Sequence, residues 1–179
     1  QELRELQLAS DELTSYMAKL LAERKQNPQE DLLSVLANAE SEGDKLTDRE
    51  IIATASFLLI AGFETTVNLL SVGTLVLLEN RGQLKQVAED PELIPNLVEE
   101  ALRVVSPVQY TARTSDSDLQ LSDGTKVRRG QTIALILTGA NRDPAVFADP
   151  NEFSVSRENA RRNIAFGYGA HHCIGAQLA

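Results

Sequence analysis

The sequence predicts a mainly α fold with a minor β-region, on three observations. Residues 51–78 are almost wholly apolar or small, with Glu64 as their only charge. Amphipathic stretches with helical spacing lie on both sides of that run. Short strand-like segments punctuated by Asp-Gly and Arg-Gly pairs follow in residues 118–137.

From Leu3 to about Gln26, Leu6, Leu13, Met17, Leu20 and Leu21 recur between charges, which predicts an amphipathic helix with a break near Ser10. Asn27-Pro28 stops it, and Asp31–Ala37 supplies a second, shorter helix. Ser41–Lys45 reads as a solvated loop. Thr47-Asp-Arg-Glu50 reads as a capping box, the Thr47 hydroxyl accepting from the N–H three residues on while Glu50 reaches back. The helix it starts is a long central one at about 48–80. At ~1.5 Å per residue its apolar part spans about 42 Å, enough to cross a membrane. The Thr, Ser, Asn and Glu residues spread through it favour the central rod of a large soluble domain instead.

Asp90-Pro91 and Pro95 punctuate the next segment, and Asn96–Val105 forms a helix that Pro107 ends. Asp118–Leu121, Thr125–Val127 and Thr132–Leu137 are short strands with hairpin-type connections at Asp123-Gly124 and Arg129-Gly130. Residues 140–165 show no period, yet Phe147 and Phe153 look buried, which predicts an ordered coil.

Composition excludes several classes of function. The net charge of −9 disfavours non-specific nucleic-acid binding, which needs clustered Lys and Arg. Residues 1–50 carry 12 acids and 6 bases and residues 51–179 carry 14 and 11, so the excess sits mostly in the first part. One cysteine excludes an internal disulfide framework and fits a reducing, cytoplasmic setting. Gln1-Glu-Leu-Arg-Glu5 lacks the apolar core of a signal peptide, and no Met opens the chain. Both ends read as cut from something longer.

Three constellations carry chemistry. Phe166-Gly-Tyr-Gly-Ala-His-His-Cys-Ile-Gly175 holds the only cysteine, both histidines and three of the ten glycines. It reads as a tight loop feeding a helix, whose first N–H groups favour a thiolate at Cys173. Such a thiolate is either an axial metal ligand or a buried structural cysteine. Glu100 and Arg103, three apart on a helix, share a face as an exposed pair or something stronger. In Ala61-Gly-Phe-Glu-Thr-Thr66 a lone carboxylate and a glycine interrupt the apolar helix, and the Thr65 hydroxyl is placed to bond the Ala61 carbonyl. That turn is either a proton-delivering groove or a packing irregularity.

Together and in this order, these motifs resemble the cytochrome P450 family. Ala61–Thr66 resembles its oxygen-activation turn, Glu100-Ala-Leu-Arg103 its Glu-x-x-Arg motif, and Phe166–Gly175 its Phe-x-x-Gly-x-x-x-Cys-x-Gly haem loop. Ala140-Asn-Arg-Asp-Pro144 and Asp149-Pro-Asn-Glu-Phe153 resemble the approach to that loop in soluble bacterial members. The resemblance covers nearly the whole chain, and implies that residues 1–179 are a partial catalytic domain without the family's N-terminal half and C-terminal end.

The resemblance implies haem b as cofactor, with Cys173 as proximal thiolate ligand whose electron donation favours O–O cleavage. It implies that His171 and Arg113 reach haem propionates, Arg113 through its planar fork. Phe166 would pack beside the sulfur, and Gly167 and Gly169 would let the loop pass close to the macrocycle. Ala61 and Gly62 would let oxygen and substrate approach the helix, and Glu64 and Thr65 would relay protons. Glu100, Arg103 and Arg157 would form a buried structural network. Arg161 and Arg162, shortly before the loop, read either as part of a basic patch for an acidic electron donor such as a ferredoxin, supplied by its reductase, or as two solvated arginines. The implied activity, expected of the full-length parent, is a monooxygenase using dioxygen and two electrons on a small organic substrate. The alternatives are a haem-thiolate peroxygenase and a non-catalytic haem-binding protein.

Overall fold

The computed structural model describes residues 2–41 and 43–179. They are mainly helical and fall into two compact units, Gln1–Glu64 and Thr65–Ala179.

The first unit holds α1 (Glu2–Gln26), α2 (Leu32–Asn38), a two-strand ladder of β1 (Glu40–Ser41) and β2 (Asp44–Lys45), and the first half of α3 (Asp48–Glu79). Its core is Leu21, Leu33 and Ile51, with Leu20, Leu36, Ala37, Ile52 and Ala55 around them. One face each of α1, α2 and α3 is therefore buried by burying the others.

No break occurs at Ser10. The Thr14 hydroxyl donates to the Ser10 carbonyl at 2.8 Å and Gln7 Nε2 donates to Asp11 Oδ1 at 2.9 Å, so the polar side chains of this turn bond along the helix and do not open it. Asp31 caps α2 by accepting from the Ser34 N–H at 2.8 Å, and also accepts from Arg24 of α1. Arg24 first, then the Ser34 N–H, holds the Asp31 carboxyl well below its usual range, at about 2.

Residues 41 and 43–45 are not open loop. Glu40 pairs with Lys45 and Ser41 with Asp44, and Gly43 takes φ +88°. Glu42, part of the expected loop, lies outside the described residues. The capping box closes at α3: Glu50 Oε2 accepts from the Thr47 N–H at 2.8 Å, and Thr47 Oγ1 accepts from the Glu50 N–H at 3.3 Å. Lys25 pairs with Asp48 in the same first turn.

Helix α3 is 32 residues, long and apolar enough to cross a membrane by length and composition alone. Phe57, Ile60, Phe63, Leu70 and Leu75 are exposed along it.

The second unit adds α4 (Arg81–Glu89), a 3-10 turn (Pro91–Leu93) and α5 (Ile94–Val105). Then come β3 (Tyr110–Thr114), β4 (Leu119–Gln120), β5 (Lys126–Val127), β6 (Thr132–Ile136) and the single turn α6 (Leu137–Ala140). Ala101 of α5 packs with Phe153 and Val155 of the following coil, against Leu69, Val76 and Leu77 of α3 and Val87 of α4. The sequence pattern misses α4, whose nine residues carry only Leu84 and Val87 as large apolar side chains.

Strand pairing also departs from expectation. The hairpin at Asp123-Gly124 joins β4 to β5, but β6 pairs with β3, from Tyr110↔Ile136 to Thr114↔Thr132. The turn at Arg129-Gly130 causes this. Gly130 N–H donates to the Ser115 carbonyl at 2.8 Å and Ser115 N–H to the Gln131 carbonyl at 2.9 Å, which carries the chain away from β5 and alongside β3.

Candidate functional site

Helix α5 supplies the anchor of the site. Its buried face carries Glu100 and Arg103, both with no exposed surface. Arg103 donates Nε to Glu100 Oε2 at 2.7 Å and Nη2 to Glu100 Oε1 at 2.8 Å, a bidentate pair. Its remaining donors reach main-chain carbonyls of the coil: Nη1 to Asn141 at 3.0 Å and Pro150 at 2.7 Å, Nη2 to Glu152 at 2.8 Å. Arg157 joins from that coil, donating Nε to Glu100 Oε1 at 3.0 Å, Nη1 to the Ala148 carbonyl and Nη2 to those of Asp149 and Glu152. The Ser154 N–H also donates to Glu100 Oε1 at 3.0 Å, and the Arg103 guanidinium lies 5.2 Å from the centre of the Phe147 ring. The structure thus brings Glu100, Arg103 and Arg157 together, and the pair on α5 is not an exposed one.

The ordered coil of residues 141–165 follows from this network. It has no sheet ladder, so its carbonyls are satisfied by guanidinium donors and asparagine amides. Asn96 Nδ2 donates to the Val155 and Arg157 carbonyls at 2.7 and 3.1 Å, and Asn159 Nδ2 to the Val146 carbonyl at 2.7 Å. Phe147 and Phe153 are buried. Sequence reasoning missed Ser106, Asn141 and Asn163. Ser106, at φ +43°, closes α5 in the left-handed conformation. Asn141, wholly buried, donates Nδ2 to Ser106 Oγ at 2.8 Å and accepts the Ile164 N–H on Oδ1 at 2.8 Å. The available signal was the recurrence of asparagine through a segment without periodicity.

The Phe166–Gly175 loop grows from that coil. The Gly167 N–H donates to the Ile164 carbonyl at 2.8 Å, and the Cys173 N–H donates across the base to the Phe166 carbonyl at 2.9 Å. Gly167 and Gly169 take φ +74° and +78°, positions at which an L side chain is strained. Gly169–His171 is a 3-10 turn, and the Phe166 ring sits 6.5 Å from that of His172. Cys173 is exposed, so it is not a buried core thiol. A Cβ at Gly175 would stand 3.8 Å from Cys173 Sγ. The residues after Cys173 form a turn and not the expected helix. The Ala176 N–H donates to the Cys173 carbonyl at 3.3 Å, and the Leu178 and Ala179 N–H groups both donate to the Gly175 carbonyl at 2.9 Å, so a single i→i−4 bond forms here among turn bonds.

The other candidates stand apart from this loop in the sequence. Arg113 on β3 is half-buried and donates Nη1 to Thr111 Oγ1 at 2.9 Å and to the Ala112 carbonyl at 2.8 Å. His171 is exposed, as are Arg161 and Arg162 in the 3-10 turn Ala160–Arg162. Helix α3 runs unbroken through Ala61, Gly62, Glu64 and Thr65. A Cβ at Gly62 would meet no atom within 4 Å, so no described neighbour requires glycine there.

Among the described residues no group of three or more His, Cys, Asp or Glu could hold a metal ion. One exposed thiol on a rigid loop is a donor set for a group that brings its other ligands with it.

A family model described as cytochrome P450 matches residues 1–179. The chain is 42% identical over 165 residues to the biotin biosynthesis cytochrome P450 of Bacillus subtilis (strain 168), covering 92% of this chain and 41% of that one. It is 41% identical over 166 residues to the steroid C26-monooxygenase of Mycolicibacterium smegmatis, covering 93% and 41%. Among solved structures, CYP109E1 from Bacillus megaterium in complex with testosterone superposes with a TM-score of 0.93 at 38% identity, over 98% of this chain and 48% of that chain. The chain spans 35–44% of the length of the curated relatives it matches.

Proposed function

Because the chain belongs to the cytochrome P450 family, we propose that the whole protein is a haem-thiolate monooxygenase acting on a small organic substrate. The observation that carries the reading is the exposed Cys173 on a loop closed by its own N–H and footed in a buried ion network. The residues fit haem b on two counts. A lone thiolate suits a metal already held by a macrocycle. Gly62 carries a helix cost of about 1 kcal/mol that no described neighbour explains, as expected where a bound molecule approaches the backbone.

Haem held by these residues would supply dioxygen activation: with two electrons from a donor and two protons, one oxygen atom would go to a C–H or double bond of the substrate and the other would leave as water. Cys173 would hold the group through its thiolate, and the Phe166–Gly175 loop would fix that sulfur. Arg113 and His171 would donate hydrogen bonds to the propionates. Phe166 and Gly167 line the loop on the sulfur side, and Ala61 and Gly62 leave room along α3. Glu64 and Thr65 would relay protons to the site, a carboxylate taking them up from water and a hydroxyl passing them on. That pair favours the dioxygen route over direct use of peroxide and over a carrier without turnover. Glu100, Arg103 and Arg157 act on folding and cofactor incorporation.

Arg161 and Arg162, both exposed, receive an acidic electron donor of the ferredoxin type. The protein works in the cytoplasm, with α3 as an internal rod. The polar Glu64, Thr65, Thr66 and Asn68 along α3 support that placement over a membrane span. The relatives' names, one tied to biotin biosynthesis and one to steroids, support the substrate class and nothing finer.

The test is the carbon monoxide difference spectrum of the reduced full-length protein, wild type against Cys173→His. The wild type shows the red-shifted thiolate-type band and the variant loses it. A wild type without the band, or a variant that keeps it, refutes the reading.

A further inference from the structure

We propose that Asn141 and Asn163 are positioning residues that clamp the stem of the Phe166–Gly175 loop to α5. The two residues before the loop, Ile164 and Ala165, present their N–H groups to these two side chains. Ile164 N–H donates to Asn141 Oδ1 at 2.8 Å and Ala165 N–H to Asn163 Oδ1 at 3.1 Å. The other end of each amide reaches α5 or its cap. Asn141 Nδ2 donates to Ser106 Oγ at 2.8 Å, and Ser106 Oγ donates to the Arg103 carbonyl at 3.0 Å. Asn163 Nδ2 donates to Glu99 Oε2 at 2.9 Å.

A side-chain amide accepts at one end and donates at the other without carrying charge into the core, and Asn141 is wholly buried. Two consecutive stem amides are thus set against two points on one helix, Glu99 and Ser106, on either side of the Glu100–Arg103 pair. From the stem, Phe166 follows directly and accepts the Cys173 N–H at 2.9 Å. The ion network fixes the coil, and the two amides carry that position to the cysteine.

The consequence for Cys173 rests on the haem-thiolate reading above, and the test separates the two. The full-length, haem-loaded protein is compared as wild type, Asn141→Ala, Asn163→Ala and Val155→Ala. Val155 is wholly buried in the same core and contributes no side-chain bond to the stem, so it controls for lost stability. In each asparagine variant the Ile164 or Ala165 amide exchanges hydrogen about 3–10-fold faster relative to the α5 amides, the loss of one hydrogen bond. Part of the reduced carbon monoxide complex also moves from the thiolate band to a shorter-wavelength one. Val155→Ala lowers the Tm and does neither.

Uniform exchange changes across the unit, or an equal band shift in Val155→Ala, overturns the proposal. Should Asn141→Ala not fold, Asn163→Ala at its half-buried position decides alone by the same criteria. A wild type with no thiolate band faults the haem reading, and stem exchange then decides the clamp by itself.

Discussion

Replacing Glu100 by glutamine keeps the side chain's shape and removes the charge that two guanidinium groups share. Oε1 of Glu100 accepts three donors, from Arg103, Arg157 and the Ser154 N–H, and Oε2 accepts Arg103 Nε. With the amide oxygen kept at the Oε1 position, the new NH2 faces Arg103 Nε–H across 2.7 Å, donor against donor. Arg103, without exposed surface, is left as an uncompensated buried charge. Breaking a buried pair from one side costs about 3–5 kcal/mol. That is a large part of the roughly 5–15 kcal/mol that holds a domain folded. Urea unfolding of the full-length protein measures it, with the exposed Glu158→Gln as control, expected within about 0.5 kcal/mol of wild type. If Glu100→Gln also stays within about 1 kcal/mol, the charge pairing is not what secures Arg103. Its three carbonyl partners would then suffice.

Two further outcomes are expected, one at the cap of α2 and one beside Arg103. Asp31 has a folded pKa of about 2 against an ordinary 3.8, so its contribution is fully present above the ordinary value and lost as pH falls from there through about 2. A carboxyl NMR titration places its midpoint near the lower figure, and Arg24→Gln raises it; a wild-type midpoint near 3.8 contradicts the pairing. Phe147→Ala costs about 3–5 kcal/mol by emptying a buried site beside Arg103. Phe147→Leu refills most of that space and leaves a deficit of about 0.5–2 kcal/mol for the lost cation–π contact, both read from Tm.

What the sequence revealed of this fold was local. The Thr47–Glu50 box and the apolar run after it mark α3 because caps and periodicity act within a few residues. The Asp123-Gly124 hairpin was legible for the same reason. The pairing of β6 with β3 was not, since it depends on how the turn at Arg129-Gly130 is held against Ser115, fifteen residues earlier in the chain. Helix α4 has too few apolar residues to show a period and is held by what it packs on. At the site, Cys173, Glu100 and Arg103 stand out by residue type and spacing. Asn141 and Asn163 do not, because an asparagine in a coil reads as a turn former until its two partners are known.

Surface coils usually vary in length among related proteins, since little in them is counted residue by residue. The coil between Asn141 and Arg157 is counted. Carbonyls at 141, 148, 149, 150 and 152 each meet a particular guanidinium nitrogen. One residue inserted or deleted there would offer the wrong carbonyl to every later donor at once. This stretch, irregular to the eye, therefore behaves as a ruler, tolerant of changed side chains at its exposed positions and intolerant of changed length.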